Sequence, residues 1–442
     1  MQPTQRLAAL GRRVDPATLP KDVISVAKHC VLDWLAVTLA GAREPLTRIV
    51  FEQAVRADAG DEAGLLGFGR RSSVLSAALL HGTAAHALDF DDTHWGLQGH
   101  PTSPVLGALW GLCERERVSG AQLLAAMVAG VEVECRLGEW LNPDHYARGF
   151  HATGTLGTFG AAAAAAHLLR LDEPAWLHAL ALAGSQSAGL KSAFGSMAKP
   201  LHAGRAAQSG LLAALLASSG FTGAGAILET EQGFAVTHSS QQLPPADASL
   251  PEGYAISDTL FKYHAACHLT HATIEGLRGM LRAQHMAADQ VEWVELGLDA
   301  TCFGVCTIEE PRTGLELKFS VQGCAGLTLM GAATEDPATF DDARATSAEL
   351  REWLERVELE EKPMPATRTE LRVGLQDGRV IESAFDSGVP QRDLHAQEQK
   401  LKRKFERLIG LPRPAADAVW QWVMALETQT DVRQLCALLG AQ

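Results

Sequence analysis

The sequence predicts a mainly α protein with one α+β insertion. Three observations carry that reading. Apolar residues recur at helical spacing through about the first 240 residues. Alternating, strand-like runs around an Asp-Gly pair occur only farther on, between residues 291 and 383. Helical spacing then returns from Leu394.

The first long helix follows Pro20, where Val23, Val26, Ala27, Cys30, Val31, Trp34 and Val37 share a face. Further helices are predicted over 75–89, 104–114, 121–138, 157–169, 174–190 and 203–217. Ser119 and Asp172 stand where N-caps belong, and Pro174 suits a first helical turn. Alanine and glycine crowd these segments, as from Ala161 to Ala166, which predicts close helix packing. After Pro251 the character changes: 271–282 is helical and 291–298 strand-like. The runs 369–376 and 379–383 flank Asp377-Gly378, a type I′ hairpin signal. A charged amphipathic helix, 347–356, lies between the strand groups. Leu401, Phe405 and Leu408, then Trp420, Val423 and Leu426, mark the helical return.

Composition narrows the function. The chain has 442 residues, 47% hydrophobic and 20% charged, a globular balance. Lys+Arg 38 against Asp+Glu 52 gives a net charge of −14, which argues against nucleic-acid and anionic-membrane partners. Cys30, Cys113, Cys135, Cys267, Cys302, Cys306, Cys324 and Cys436 form no CxxC pair, so reduced structural thiols and a cytoplasmic location are expected. The opening Met1-Gln2-Pro3-Thr4-Gln5-Arg6 carries no secretory apolar segment. The longest uncharged run, 206–228, contains Gln208, Ser209, Ser218, Ser219 and several glycines, and reads as a helix buried in protein, with no membrane partner.

Nucleotide, nicotinamide, zincin and serine-hydrolase motifs are absent, and the Gly154, Gly157, Gly160 series reads as helix packing. Four polar segments interrupt the apolar sequence: His86 to His94 with His100 to Pro104, Tyr146 to Gly154, Met197 to Arg205, and Lys262 to His271. Each falls at a loop-to-helix junction, where backbone N–H groups favour anions. Together they suit a small polycarboxylate. Simpler roles remain open at this point. A lone histidine at a helix start can be a cap, Asp91 and Asp92 can cap or solvate a turn, and Lys199 and Arg205 can be surface charges. His86, Asp89 and Thr93 share one face if their helix persists. A metal-dependent hydrolase is another reading, from His264, His268 and His271 at i, i+4, i+7 joined by His86, Asp89 and Asp92. A non-catalytic carboxylate-binding protein is a third.

These segments resemble the MmgE/PrpD family: AHALDFDDTH then HPTSP, GFHATGTLGTFGAAAAAA, SMAKPLHAGRAAQSG and FKYHAACHLTH, in family order and across most of the chain. That family includes dehydratases of 2-methylcitrate, decarboxylases of cis-aconitate and epimerases of iminodisuccinate. The resemblance implies a large all-helical domain made from both chain ends plus a smaller inserted α+β lid domain, and a homodimer. The expected parts are 1–268 and 394–442 for the helical domain and 269–393 for the lid. It also implies a small di- or tricarboxylate substrate, no cofactor and no metal.

Carried over by position, Asp89, Thr93, His100 and His151 match catalytic positions of the family, and Lys199 and Lys262 match its site lysines. The lysine motif departs from the family pattern at Tyr263-His264-Ala265. The tyrosine that follows the family's KFS segment is missing, since Lys318-Phe319-Ser320 continues as Val321-Gln322-Gly323. Tyr146 resembles the epimerase acid/base instead. The expected site is therefore His151 and Tyr146 as acid/base groups, with Asp89, Thr93 and His100. Lys199, Lys262, His202 and His268 are expected to bind substrate. The expected chemistry is proton abstraction or carbanion formation α to a carboxylate, by an isomerase or lyase (epimerase or dehydratase), with decarboxylation as the alternative.

Overall fold

The computed structural model describes residues 1–439, with the side chain of Cys436 and residues 440–442 outside the described set. The chain divides into two compact units. One contains residues 1–192, 197–261 and the C-terminal part from Pro390; the other contains 193–196 and 262–389. The second unit thus begins at Lys262 and ends at Val389, where the sequence reading has 269 and 393.

Within the first unit, the helix Ala152–Leu168 is surrounded by Thr102–Glu116, Gly120–Leu141, Glu173–Gly184 and Ala198–Ser218. Its small residues explain that position. Ala161 to Ala166 are all solvent-free. A Cβ on Gly157 would meet Pro104 at 2.7 Å, and one on Gly160 would meet the Glu134 carboxyl carbon at the same distance. These glycines therefore serve close helix approach. The caps predicted from sequence form: Ser119 and Asp172 accept from Gln122 and Ala175 backbone N–H groups. The C-terminal helix Leu394–Leu408 packs on Lys21–Gly41. That N-terminal helix, rather than 206–228, is long and apolar enough to cross a membrane by composition, and most of it is buried in this unit. The 206–228 run instead holds the end of Ala198–Ser218 and a turn at Gly220, φ +86°.

Three expectations for this unit need correction. It is not all-helical: Ala63–Leu65 pairs antiparallel with Arg70–Ser72, and Thr93–His94 with Thr259–Leu260. The helix expected over 75–89 is Val74–His86, so Asp89 and Thr93 share no helical face with His86. Asp89 takes φ +50°, which ends any continuation of the helix. The helix expected over 174–190 stops at Gly184. Beyond it, Ser187 Oγ donates to Thr155 O at 2.6 Å and Leu190 bridges to Phe150, which draws the chain across the start of Ala152–Leu168.

The second unit is built on a four-stranded sheet. Val291–Leu298 runs parallel to Val357–Glu361 on one side and antiparallel to Arg368–Leu375 on the other, with Val380–Asp386 at the far edge. The helix His271–Ala283 covers the last two strands. The predicted hairpin is present, but its turn is not type I′. Gly378 alone has positive φ, and its N–H donates to Leu375 O at 2.9 Å, while Leu375 N–H donates to Arg379 O. This is a three-residue loop closed by a glycine bulge. The seven described cysteines are free and buried.

Candidate active site

The site grows from a three-residue stretch, Asp89-Phe90-Asp91, that follows the end of helix Val74–His86. Asp89 and Asp91 are both buried, which contradicts the solvated-turn reading of Asp91. Burial pushes the Asp91 carboxyl up, but His100 and His86 outweigh it and hold the group well below its ordinary value. His86 donates from Nδ1 to the two Asp91 oxygens at 3.0 and 2.9 Å, and Ser103 Oγ donates to Oδ2 at 2.5 Å. His100 Nδ1 lies 3.2 Å from Asp91, and its Nε2 3.6 Å from Asp89. Lys199 Nζ donates to Asp89 Oδ1 at 2.5 Å. Asp92 turns the other way and accepts from the backbone and hydroxyl of Thr102, as a cap would.

His151 occupies the N-cap position of the helix Ala152–Leu168, with no side-chain cap bond, and is 2% exposed. Its Nδ1 lies 3.0 Å from Nδ1 of His202, and its ring stacks on His86 at 5.7 Å between centroids. Burial, then Lys199, His86, His202 and His100, hold its pKa well below 6.5. Burial is therefore the leading cause that keeps this ring neutral. His202, half-buried, is lowered to about 4 by burial, His86 and Lys199. Two imidazoles joined Nδ1 to Nδ1 share one N–H: whichever ring donates, the other accepts. A tautomer change at this pair therefore converts His151 Nε2 between acceptor and donor.

Asp89, His100, His151, Lys199 and His202 thus meet in one cluster. Thr93 lies in the short Thr93–His94 strand, its hydroxyl donating to Leu260 O at 3.4 Å. Tyr146, on the short helix Asp144–Ala147, is half-buried with Lys191 Nζ 3.9 Å from its ring centroid. Lys262 and His268 belong to the second unit, where both are buried. Lys199 is 4% exposed, so it is no surface charge, whereas Arg205 is exposed. Asp91 and Ser103 are additional members that the sequence does not single out, and His86 is one it offers only as a metal ligand, although all three stand in the quoted segments.

The helical i, i+4, i+7 histidine set does not form, because the helix begins at His271. His264 is bonded to Glu275 and Thr334, His268 to Ser387 O and His271 to Ala266 O. Among the described residues, His86, Asp89, Asp91 and His100 can offer ligand atoms to one metal ion, within 4.8 Å of one another. The Lys199 ammonium already sits against Asp89 and opposes a second cation there.

Burial of so many imidazoles sets a pH dependence. Burial leads in lowering His29, His145 and His202 to about 4 and His81 to about 3. Their folded values lie below the unfolded 6.5, so the unfolded chain takes protons first as pH falls. Stability from these rings is full above about pH 6.5 and is lost on descent toward about pH 4, by a few kcal/mol for a fully buried ring. Burial raises Asp92 to about 7 and Glu134 well above its usual range, and these two act in the opposite sense. The melting temperature is expected to fall between pH 6.5 and 4.5; a flat or rising profile contradicts this balance.

The MmgE/PrpD N-terminal domain model matches residues 5–246, and the MmgE/PrpD C-terminal domain model matches residues 264–426. The chain is 27% identical over 476 aligned residues to a cis-aconitate decarboxylase-like protein of Aspergillus oryzae, covering 99% of this chain and 97% of that protein. It is 28% identical over 459 residues to the cis-aconitate decarboxylase of Mus musculus, covering 99% and 93%. It is also 28% identical over 459 residues to a cis-aconitate decarboxylase of Aspergillus terreus, covering 96% and 92%.

Proposed function

The chain belongs to the MmgE/PrpD family, and from that premise we propose that it is a lyase that decarboxylates a small unsaturated tricarboxylate of the cis-aconitate type. The observation that carries this reading is the buried His151 paired with half-buried His202 beside the Lys199–Asp89 ion pair, in a chain matched almost end to end by cis-aconitate decarboxylases. Decarboxylation thereby moves from alternative to leading reading.

The chemistry needs one anion stabilised and one proton delivered. In cis-aconitate the carboxylate on the saturated carbon leaves as CO₂. Its bonding pair forms a new methylidene double bond. The old double-bond pair moves to the carbon α to another carboxylate, giving an enediolate, and that carbon takes a proton. Lys199 and His100 stabilise the developing negative charge, with Asp89 and Asp91 orienting them. His151 delivers the proton from Nε2 while its Nδ1 takes the shared proton from His202. His202 is half-buried and recovers a proton from solvent at its outer nitrogen. His202 is thus a relay as well as part of the binding wall.

Dehydration or epimerisation is the second reading, favoured by Val321-Gln322-Gly323 where family decarboxylases place a tyrosine, and by Tyr146. Purified protein should be incubated with cis-aconitate, a hydroxylated tricarboxylate and an amino- or imino-dicarboxylate, before and after chelation. CO₂ release from cis-aconitate alone, unchanged by chelation, is the expected result. Water loss or inversion without CO₂ selects the second reading. Activity lost with a stoichiometric metal moves the reaction to the His86, Asp89, Asp91, His100 set.

A further inference from the structure

Three consecutive residues of the site loop are each fixed by a different element. Asp89 holds Lys199, which stands on the helix Ala198–Ser218. Asp91 holds His86 and Ser103, from the helices Val74–His86 and Thr102–Glu116. Between them, the Phe90 carbonyl accepts from Lys404 Nζ at 2.6 Å. Lys404 comes from the distant helix Leu394–Leu408, and its Nζ also pairs at 2.6 Å with Asp33 on the helix Lys21–Gly41. The side chains of Lys404 and Asp33 are 5% and 2% exposed. The ammonium also lies 4.0 Å from the centroid of the buried Phe90 ring.

A lysine is rarely taken this far from water unless both partners and geometry compensate its desolvation. Here the compensation goes to one peptide carbonyl, flanked by the two carboxylates that organise the site. That peptide follows Asp89 at φ +50°, a conformation a non-glycine residue keeps only where its surroundings over-determine it. We propose that Lys404 is a positioning residue: anchored by Asp33, it fixes the Phe90 carbonyl so that Asp89 and Asp91 present Lys199, His86 and His100 in reactive geometry. The C-terminal helical return thereby becomes part of the catalytic apparatus without touching substrate. The catalytic half of this inference rests on the decarboxylase reading; the anchoring half does not.

The test pairs Lys404→Met with Asp33→Asn in one chain, so that no buried carboxylate is left charged without its partner. The expected result with cis-aconitate is a kcat lower by about tenfold to a hundredfold, the scale of a misplaced catalytic group, with KM within about threefold. Amide exchange at residues 88–92 should quicken by about tenfold or more while the helix Ala152–Leu168 exchanges as in wild type. Lys404→Arg, which keeps the charge and the donor, should restore most of both readouts. If the double variant does not fold, Lys404→Gln, a neutral donor on a shorter stem, should show the same split. Native-like protein with unchanged kcat, or with unchanged exchange at 88–92, overturns the proposal. If the wild-type protein turns over none of the acids, the decarboxylase reading fails, and the exchange comparison alone decides whether Lys404 fixes the loop.

Discussion

His151→Ala is expected to lower turnover by about 10²- to 10⁴-fold, the range for losing a positioned acid or base. His151 stands at the N-cap position of the central small-residue helix without a side-chain cap bond, and its buried ring meets His202 nitrogen to nitrogen at 3.0 Å. His151→Asn places a good N-cap residue at the same helix start and should be as inactive, which separates chemistry from helix stability. His202→Ala removes the relay but leaves the final donor, so a smaller loss is expected, partly restored by added imidazole. Steady-state kinetics on the three variants, with melting temperatures alongside, checks the order. Full turnover by a folded His151→Ala protein makes the ring a packing group.

Lys199→Met is expected to destabilise the protein by about 3–5 kcal/mol, as one partner of a buried ion pair is removed and the other is left charged. The pair is 5% exposed on each side chain. Adding Asp89→Asn should recover part of the loss, with a coupling energy on the order of 1–3 kcal/mol. Turnover should fall in both single variants. Denaturant titration of the four proteins of this cycle measures the coupling. Additive effects would mean that the two residues do not act as a pair.

Much of this architecture is legible in the sequence because period and punctuation agree. The caps at Ser119 and Asp172, the Ala161 to Ala166 core and the strand Val291–Leu298 all appear where spacing puts them. Local conformation is less legible. The helix ending at His86 instead of 89 depends on Asp89 taking positive φ, which the site contacts enforce and no local signal encodes. Asp377-Gly378 suits a type I′ turn, but the register of the strands sets a bulge instead. Asp91 reads as a solvated turn residue until His86, His100 and Ser103 are seen to converge on it. Lys404 lies in a charged amphipathic segment beside Lys400, Lys402 and Arg403; its spacing from Leu401 and Leu408 puts it nearest the apolar face, but nothing in that run encodes the Phe90 carbonyl and Asp33 that it meets.

The proton inventory of the reaction gives the most direct test of the central claim. Wild-type protein is incubated with cis-aconitate in D₂O, and the product is followed by NMR. The account predicts CO₂ and a methylidene diacid carrying one deuterium on the saturated carbon α to a carboxylate, with product formation lost in His151→Ala. Loss of CO₂ with product formation intact in His151→Ala, or deuterium entering cis-aconitate or its hydrate with no CO₂ formed, contradicts the account.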